Sequence, residues 1–333
     1  MQEHVEIYGL ELREETQRVT ENVGLKVFDG AAHPALAQEI CDYLGIDKGD
    51  MEVSCFQDGE VRVEVNESVR GADVFVVQPT SSPVNHNLVS LLIICDALKR
   101  ASAKRITAVI PYYGYARQEK KTQGREPITA KLVANIIKSA GADRILTVDL
   151  HTWAIMGFFD IPVDMASAIP LLAEYFLQVG LTDPVVVSPD AGGVGRARFF
   201  AQKIASSLAF IDKRRPRPNQ AEVMNVIGDI EGKDAILIDD IVDTAGTMVK
   251  AVEAIKRQGA RRVFACCTHP VLSGSALMRI EGSPLERMVV TNTIPLAPEA
   301  LTSGKIETLS VAPLLGEIIN RIHRNVSVSE LFS

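Results

Sequence analysis

The sequence predicts an α/β chain of two tandem domains, each a mainly parallel sheet flanked by helices. Three observations predict it. Apolar strand-like runs alternate with helix-like runs over almost the whole length, the pattern of parallel sheets covered on both faces. The alternation fills two stretches of roughly 140 residues, each the size of one domain, with a junction near Asp164–Ile169. Both stretches close a strand on an acidic motif, Asp149-Leu150-His151 in the first and Asp239-Asp240 in the second. The expected division is an N-terminal extension over 1–23, a first domain over 24–165 and a second over 166–333.

In the first half, strands are expected at Leu25–Phe28, Glu52–Phe56, Val61–Val65, Val74–Gln78, Arg105–Ile110 and Arg144–Asp149. Phe56-Gln57-Asp58-Gly59-Glu60 separates the second and third, and Asp-Gly there is a hairpin signal. Helical spacing marks Leu88–Arg100 and Thr129–Ala140. The apolar run Leu88–Cys95 is far shorter than the ~20 residues of a membrane span, and polar residues flank it, so it reads as a buried helix. The second half continues with strands at Val185–Ser188, Ala209–Ile211, Glu222–Ile227, Ala235–Asp239, Arg262–Thr268 and Met288–Thr291. Helices are expected at Leu171–Val179, Gly193–Ala205, Thr247–Gln258 and Leu314–Arg324. Pro313 suits the first turn of the last of these.

Composition narrows the function classes. The 333 residues are 47% hydrophobic, enough for a sizeable core, and the net charge of −7 disfavours nucleic acid as a partner. Met1–Val23 is rich in Glu and lacks the apolar core of a signal peptide. The expectation is therefore a cytoplasmic protein without a membrane partner. The five cysteines form no C-x-x-C pair, which suits reduced thiols. Cys266 and Cys267 are adjacent on a strand and should point to opposite faces.

The most informative stretch runs from Ala235 to Thr247, Ala-Ile-Leu-Ile-Asp-Asp-Ile-Val-Asp-Thr-Ala-Gly-Thr. An apolar strand ends in paired carboxylates, a loop of small and hydroxyl residues follows, and a helix begins. Such a loop can aim several N–H groups and the hydroxyls of Thr244 and Thr247 at one anion, with the helix dipole behind them. Asp239 and Asp240 are placed to accept from hydroxyls. A phosphate beside acceptors for hydroxyls describes a phosphorylated sugar. The loop lacks the G-K-[ST] of a nucleotide P-loop.

Other constellations point the same way. Ser188-Pro189-Asp190-Ala191-Gly192-Gly193 is a second strand–loop–helix junction, suited to a phosphate or a metal through Asp190. Asp149 and His151 project to one side if extended and could hold a divalent cation, with Asp160 and Asp164 nearby in sequence; oxygen-rich ligation suits Mg²⁺. Ile211-Asp212-Lys213-Arg214-Arg215-Pro216-Arg217-Pro218-Asn219 reads as a basic loop whose prolines stop both helix and ladder, and which could close over polyphosphate. Pro111-Tyr112-Tyr113-Gly114-Tyr115-Ala116-Arg117-Gln118 follows a strand; its tyrosines read as core sooner than as a stacking wall, and Arg117 offers a fork for a phosphate or a base edge.

The sugar-phosphate loop resembles that of type I phosphoribosyltransferases and of ribose-phosphate diphosphokinases. From about Gly24 to Phe332 the chain is similar to the second family, in its class I form. The resemblance rests on Asp58-Gly59-Glu60, Pro83-Val84-Asn85, Tyr112 to Gln118, Arg125-Glu126-Pro127, Asp149-Leu150-His151, Ser188-Pro189-Asp190, Lys213-Arg214-Arg215, the loop itself and Ser310-Val311-Ala312-Pro313-Leu314. It implies two phosphoribosyltransferase-like domains, the first for ATP and the second for ribose 5-phosphate. The implied reaction transfers a diphosphoryl group from ATP to ribose 5-phosphate. It further implies that Asp58, Gly59, Glu60, Arg117 and Gln118 bind ATP, and that His151 and Asp190 hold Mg²⁺, with Asp149, Asp160 and Asp164 as secondary positions. Asp239, Asp240, Asp243, Thr244, Ala245, Gly246 and Thr247 would bind ribose 5-phosphate, and Lys213 and Arg215 would be catalytic, Arg215 also touching the sugar phosphate. A homohexamer with phosphate and ADP as effectors belongs to the same expectation. The chain departs from the family at Gln57, where serine is usual, at Thr152–Met156, which carries Trp153, and in the extension over 1–23.

Overall fold

The computed structural model describes residues 24–214 and 223–331; the N-terminal extension and Arg215 lie outside them. In chain order the first strands and helices are β1 (Leu25–Asp29), α1 (Pro34–Leu44), β2 (Met51–Cys55), β3 (Val61–Val65), β4 (Asp73–Val77), α2 (Val84–Arg100), β5 (Arg105–Ile110), α3 (Thr129–Ala140), β6 (Arg144–Val148) and β7 (Val163–Ala166). Then come α4 (Ile169–Gln178), β8 (Val185–Ser188), α5 (Val194–Lys203), β9 (Ser207–Arg214), β10 (Val223–Ile227), β11 (Asp234–Val242), α6 (Gly246–Arg257) and β12 (Arg262–Pro270). The chain closes with α7 (Ala276–Glu281), β13 (Arg287–Thr291), α8 (Pro298–Leu301), β14 (Ile306–Leu309) and α9 (Ala312–His323).

Two compact units result. One takes the described residues up to Ser167 together with Thr293–Pro295 and the stretch from Ser310 onward; the other holds Ala168–Asn292 and Leu296–Leu309. The helix expected near Leu314–Arg324 is therefore grouped with the first unit, although it closes the chain. Its Gly316 lies so close to α1 that a Cβ there would overlap the Tyr43 ring. Arg105 donates to the Ile322 carbonyl at 2.9 Å, and His323 Nδ1 lies 2.9 Å from Asp73.

The first unit carries a five-stranded sheet, β1-β4-β5-β6-β7, parallel throughout, and the separate antiparallel hairpin β2-β3. Strand order follows chain order, so every crossover steps the same way. Phe28, Val76, Leu91, Ile94, Ile110 and Tyr113 share its core. Tyr112 and Tyr113 are core residues, as expected. No helix among the described residues is long and apolar enough to cross a membrane.

The second unit carries a seven-stranded sheet in the order β10-β9-β8-β11-β12-β13-β14, parallel except for the β9–β10 pair. Alternation along its strands divides the apolar side chains between two cores. Val185, Val187, Ala235 and Leu237 meet α6 through Val252 and Ile255. Val186, Ile236 and Ile238 meet α5 through Ala197 and Phe200. Cys266 and Cys267 fall into opposite cores, as neighbours on a strand must, and all five cysteines are unpaired.

Several boundaries differ from the sequence reading. β7 and β14 are strands where none was expected; both are short and only partly buried for most of their length. β9 runs on through Lys213 and Arg214, because it pairs antiparallel with β10, Lys213 opposite Met224. The basic segment thus begins in a ladder and not in a loop. β11 continues three residues past Asp239, so the paired carboxylates lie within the strand.

At the opposite end of β11, Asp234 has no solvent exposure. It accepts from Arg261 Nε at 2.9 Å, from Arg262 Nη2 at 2.6 Å and from the Thr182 N–H at 2.9 Å. Burial alone would raise its pKa; the donors from Arg262 and Arg261 outweigh it and bring the carboxyl from 3.8 to about 2. A carboxyl whose folded pKa is depressed contributes stability above its unfolded pKa and loses it as pH falls through the folded one. Asp234→Asn is expected to lower unfolding free energy by about 2 kcal/mol at pH 7. The gap from the unsubstituted protein should close as pH drops from about 4 towards 2. Urea unfolding across that range checks it, and a gap that stays constant would contradict it.

Candidate functional site

The sheet of the second unit contains one reversal of strand order. After β8 the chain steps to β9 on one side, and β11 to β14 then build outward on the other. The helices that follow β8 and β11 accordingly cover opposite faces, α5 on one and α6 on the other. At such a switch point the connections diverge and leave a crevice at the strands' carboxyl ends, where open α/β sheets bind ligands.

The register shows how the crevice opens. β8 and β11 pair from Val185↔Ala235 to Val187↔Leu237. Beyond that, β8 turns off into Pro189–Gly193, while β11 continues beside β12 as far as Val242↔Pro270. Asp239 and Asp240 lie in this extension. A small pocket there is lined by Pro189, Leu237, Asp239, Val242, Thr247, Met248, Ala265 and Cys266. It joins the two junctions that the sequence singled out.

The loop after β11 leads into a helix start that no side chain caps. Ala245 takes the left-handed conformation (φ 59°) at the start of α6, and no side chain caps that helix. The first N–H groups of a helix lack partners within it, so an uncapped start of a twelve-residue helix is suited to an anion. The loop is braced from behind. The Ser273 hydroxyl donates to Asp243, Arg279 Nη1 donates to the Thr244 carbonyl at 2.7 Å, and the Ser273 N–H donates to the Asp243 carbonyl at 3.0 Å. Thr244 and Thr247 are exposed, and Asp243 and Gly246 are partly so.

Asp239 and Asp240 form a close acidic pair. Arg196, from α5, reaches both: Nη1 is 3.2 Å from Asp239 and Nη2 is 3.0 Å from Asp240. The Asp240 N–H donates to Asp239 Oδ1 at 2.9 Å. Burial, and then the Asp240 carboxylate, raise the Asp239 pKa, with Arg196 opposing. The sequence reading missed Arg196, Ser273 and Arg279. Each acts on residues at least 30 positions away, and nothing local in the sequence marks such a contact.

Asp190 closes a tight turn. Its Oδ1 accepts from the Gly193 N–H at 2.9 Å, and Ser188 Oγ donates to the Asp190 carbonyl at 2.7 Å. Among the described residues no group of three or more His, Cys, Asp or Glu side chains could hold a metal ion. Asp160 pairs with Lys138 at 3.5 Å and Asp164 with Arg144. These two carboxylates are thus committed to ion pairs within the first unit.

In the first unit, Asp149 and His151 follow β6, and Asp149 adopts φ 35° with its N–H on the Ala166 carbonyl. Arg117 and Gln118 follow β5 and are exposed. Gln118 braces the start of α3: its Oε1 accepts from the Thr129 hydroxyl at 2.6 Å and its carbonyl from the Ala130 N–H at 3.2 Å. Asp58-Gly59-Glu60 forms the exposed tip of the β2-β3 hairpin, where Gly59 has φ 94° and Asp58 accepts from the Glu60 N–H at 3.1 Å. The hairpin expectation is met. Trp153, in the stretch that departs from the family pattern, is 74% exposed.

Comparison with known proteins follows the same lines. Residues 25–141 match the model for the N-terminal domain of ribose phosphate pyrophosphokinase, and residues 213–333 the model for the phosphoribosyl synthetase-associated domain. The ribose-phosphate pyrophosphokinase of Halalkalibacterium halodurans is 57% identical over 308 residues, covering 92% of this chain and 97% of that one. That of Corynebacterium ammoniagenes is 55% identical over 312 residues, covering 94% and 98%. The crystal structure of phosphoribosylpyrophosphate synthetase from Mycobacterium smegmatis aligns with a TM-score of 0.86 at 44% identity, covering 91% of this chain and 99% of that one.

Two glycines test the geometry at the start of α5. A Cβ on Gly193 would stand 2.8 Å from Ser188 Oγ, whereas one on Gly195 would enter open space. Gly193→Ala is expected to cost about 1–3 kcal/mol by overpacking the Asp190 turn. Gly195→Ala, inside the helix, should gain up to about 1 kcal/mol. Denaturant unfolding of the two variants should show opposite signs.

Proposed function

The chain belongs to the ribose-phosphate pyrophosphokinase family, and from that premise we propose the following reaction. The β,γ-diphosphoryl group of ATP passes to the anomeric hydroxyl of ribose 5-phosphate, giving 5-phosphoribosyl 1-diphosphate and AMP for nucleotide biosynthesis. The observation that carries the reading is the uncapped start of α6 beside the Asp239–Asp240 pair, at the reversal of strand order. An anion-binding helix start and a pair of hydroxyl acceptors are what a sugar phosphate requires.

Asp243, Thr244, Ala245, Gly246 and Thr247 receive the 5-phosphate, and Asp239, supported by Asp240, accepts from the ribose hydroxyls. Asp58, Gly59, Glu60, Arg117 and Gln118 bind ATP. The anomeric oxygen attacks the β-phosphorus and AMP leaves. Charge builds on the leaving oxygen and spreads over the phosphoryl oxygens, so alignment and neutralisation are the main demands on the protein. Lys213, at the end of β9, and Arg215 answer that demand as cations acting chiefly in the transition state.

His151 and Asp190, with Asp149 as a secondary position, are the residues proposed to hold Mg²⁺. A sparse set of donors fits this ion, which is commonly held by one or two carboxylates and by substrate phosphates. Bound there, it would supply positive charge to the phosphates. A homohexamer in the cytoplasm, with phosphate and ADP as effectors, completes the proposal. Exposed Trp153 and Leu132 in the first unit suit subunit contacts.

AMP formation from ATP and ribose 5-phosphate tests the reaction. It should require added magnesium and stop on chelation. A phosphoribosyltransferase, which consumes the diphosphate sugar, would release no AMP in this assay. Lys213→Ala is expected to lower kcat by about 10²-fold or more with modest change in either KM; an unchanged kcat would remove Lys213 from the mechanism.

A further inference from the structure

We propose that Arg196 is a positioning residue for the sugar phosphate: one guanidinium spans Asp239 and Asp240 and so fixes the Asp239 carboxylate for the ribose hydroxyls. The inference rests on the reading of Asp239 as a sugar-binding residue and adds to it a residue on another element.

Neighbouring residues in an extended strand project to opposite faces. A side chain that meets both must approach the strand from its edge. That edge is open here because β8 leaves the sheet after Ser188, and α5, which follows β8, delivers Arg196 into the space vacated. The planar fork then places Nη1 on Asp239 and Nη2 on Asp240. A lysine, with a single point of charge, cannot span the two in the same way.

The two carboxylates are not equivalent. The Asp240 side chain is 4% exposed and that of Asp239 is 36% exposed, while Arg196 itself is 19% exposed. Asp239 is therefore the member that can meet a ligand, and it also lines the pocket with Thr247. Two donors converge on its Oδ1, Arg196 Nη1 and the Asp240 N–H. They set the plane of the carboxylate before the sugar arrives. Without Arg196, the two carboxylates, one of them buried, would lose the cation that they share. Either they would rotate apart or one would take a proton, and a protonated carboxyl is a poorer acceptor for a ribose hydroxyl.

Steady-state kinetics with ribose 5-phosphate and ATP varied separately test this. Five proteins are compared with the unsubstituted enzyme: Asp239→Asn, Arg196→Gln, Arg196→Lys, Asp239→Asn combined with Asp240→Asn, and that pair combined with Arg196→Gln. Arg196→Gln should raise the KM for ribose 5-phosphate about tenfold and leave that for ATP within about twofold. Arg196→Lys should recover only part of the loss. In the background lacking both carboxylates, Arg196→Gln should have almost no further effect, because the residue acts through them.

An unchanged ribose 5-phosphate KM in Asp239→Asn would overturn the sugar-binding reading itself. If Asp239→Asn raises that KM but Arg196→Gln does not, the reading stands and the role of Arg196 falls. An Arg196→Gln effect of equal size in both backgrounds, or equal on both substrates, would mark a merely structural arginine. Should Arg196→Gln fail to fold, Arg196→Lys carries the test, and full activity in it would overturn the two-pronged role.

Discussion

The end of pairing between β8 and β11 is the constraint on which the site depends. While Val185–Val187 pair with Ala235–Leu237, both strands are ordinary interior strands, apolar on both faces. Past that point their helices must go to opposite faces, because the strand order reverses there. Beyond Val187 and Leu237 the two strands no longer pair. The chain instead places a tight glycine turn on one side and two carboxylates on the other. The cost of burying Asp240 is met by Arg196, which the same divergence brings within reach.

The chemistry of the two junctions is complementary. The start of α6 presents donors, through its backbone, and the end of β11 presents acceptors, through its side chains. A ligand that satisfies both must carry an anion at one end and hydroxyls near it. The brace formed by Ser273 and Arg279 is part of this division. It engages the loop's carbonyl and carboxylate oxygens and not its N–H groups. Stiffness of this kind reduces the ordering cost paid on binding.

Much of this was legible in the sequence, and the exceptions have physical causes. Thr129–Ala140 and Val61–Val65 have the expected bounds, because helical or alternating spacing is strong there. β7 and β14 were missed because edge strands pair on one side only and need fewer apolar residues; Val-Asp-Met-Ala and Ile-Glu-Thr-Leu carry a weak signal. Lys213 and Arg214 read as loop because charge and the following prolines dominate the local pattern, while the ladder to β10 that holds them depends on a distant partner. The loop at Asp243–Thr247 was found because it is contiguous. Arg196, forty-three residues from Asp239, was not, because its partner is set by the reversal of strand order and not by spacing.

The first unit shows what happens without such a reversal. Its strands run β1-β4-β5-β6-β7 in chain order, so topology opens no crevice between neighbours. Candidate residues there sit on extensions beyond the sheet: the hairpin tip at Asp58–Glu60, the segment through Arg117 and Gln118, and the turn at Asp149–His151. Gln118 is already engaged in holding the start of α3. Recognition built from exposed side chains on loops can be altered without disturbing a core. Recognition built from a helix start and a strand end cannot, because the same backbone closes the sheet. The crevice at the reversal of strand order is therefore the fixed part of this protein, and the exposed loops of the first unit are the part open to variation.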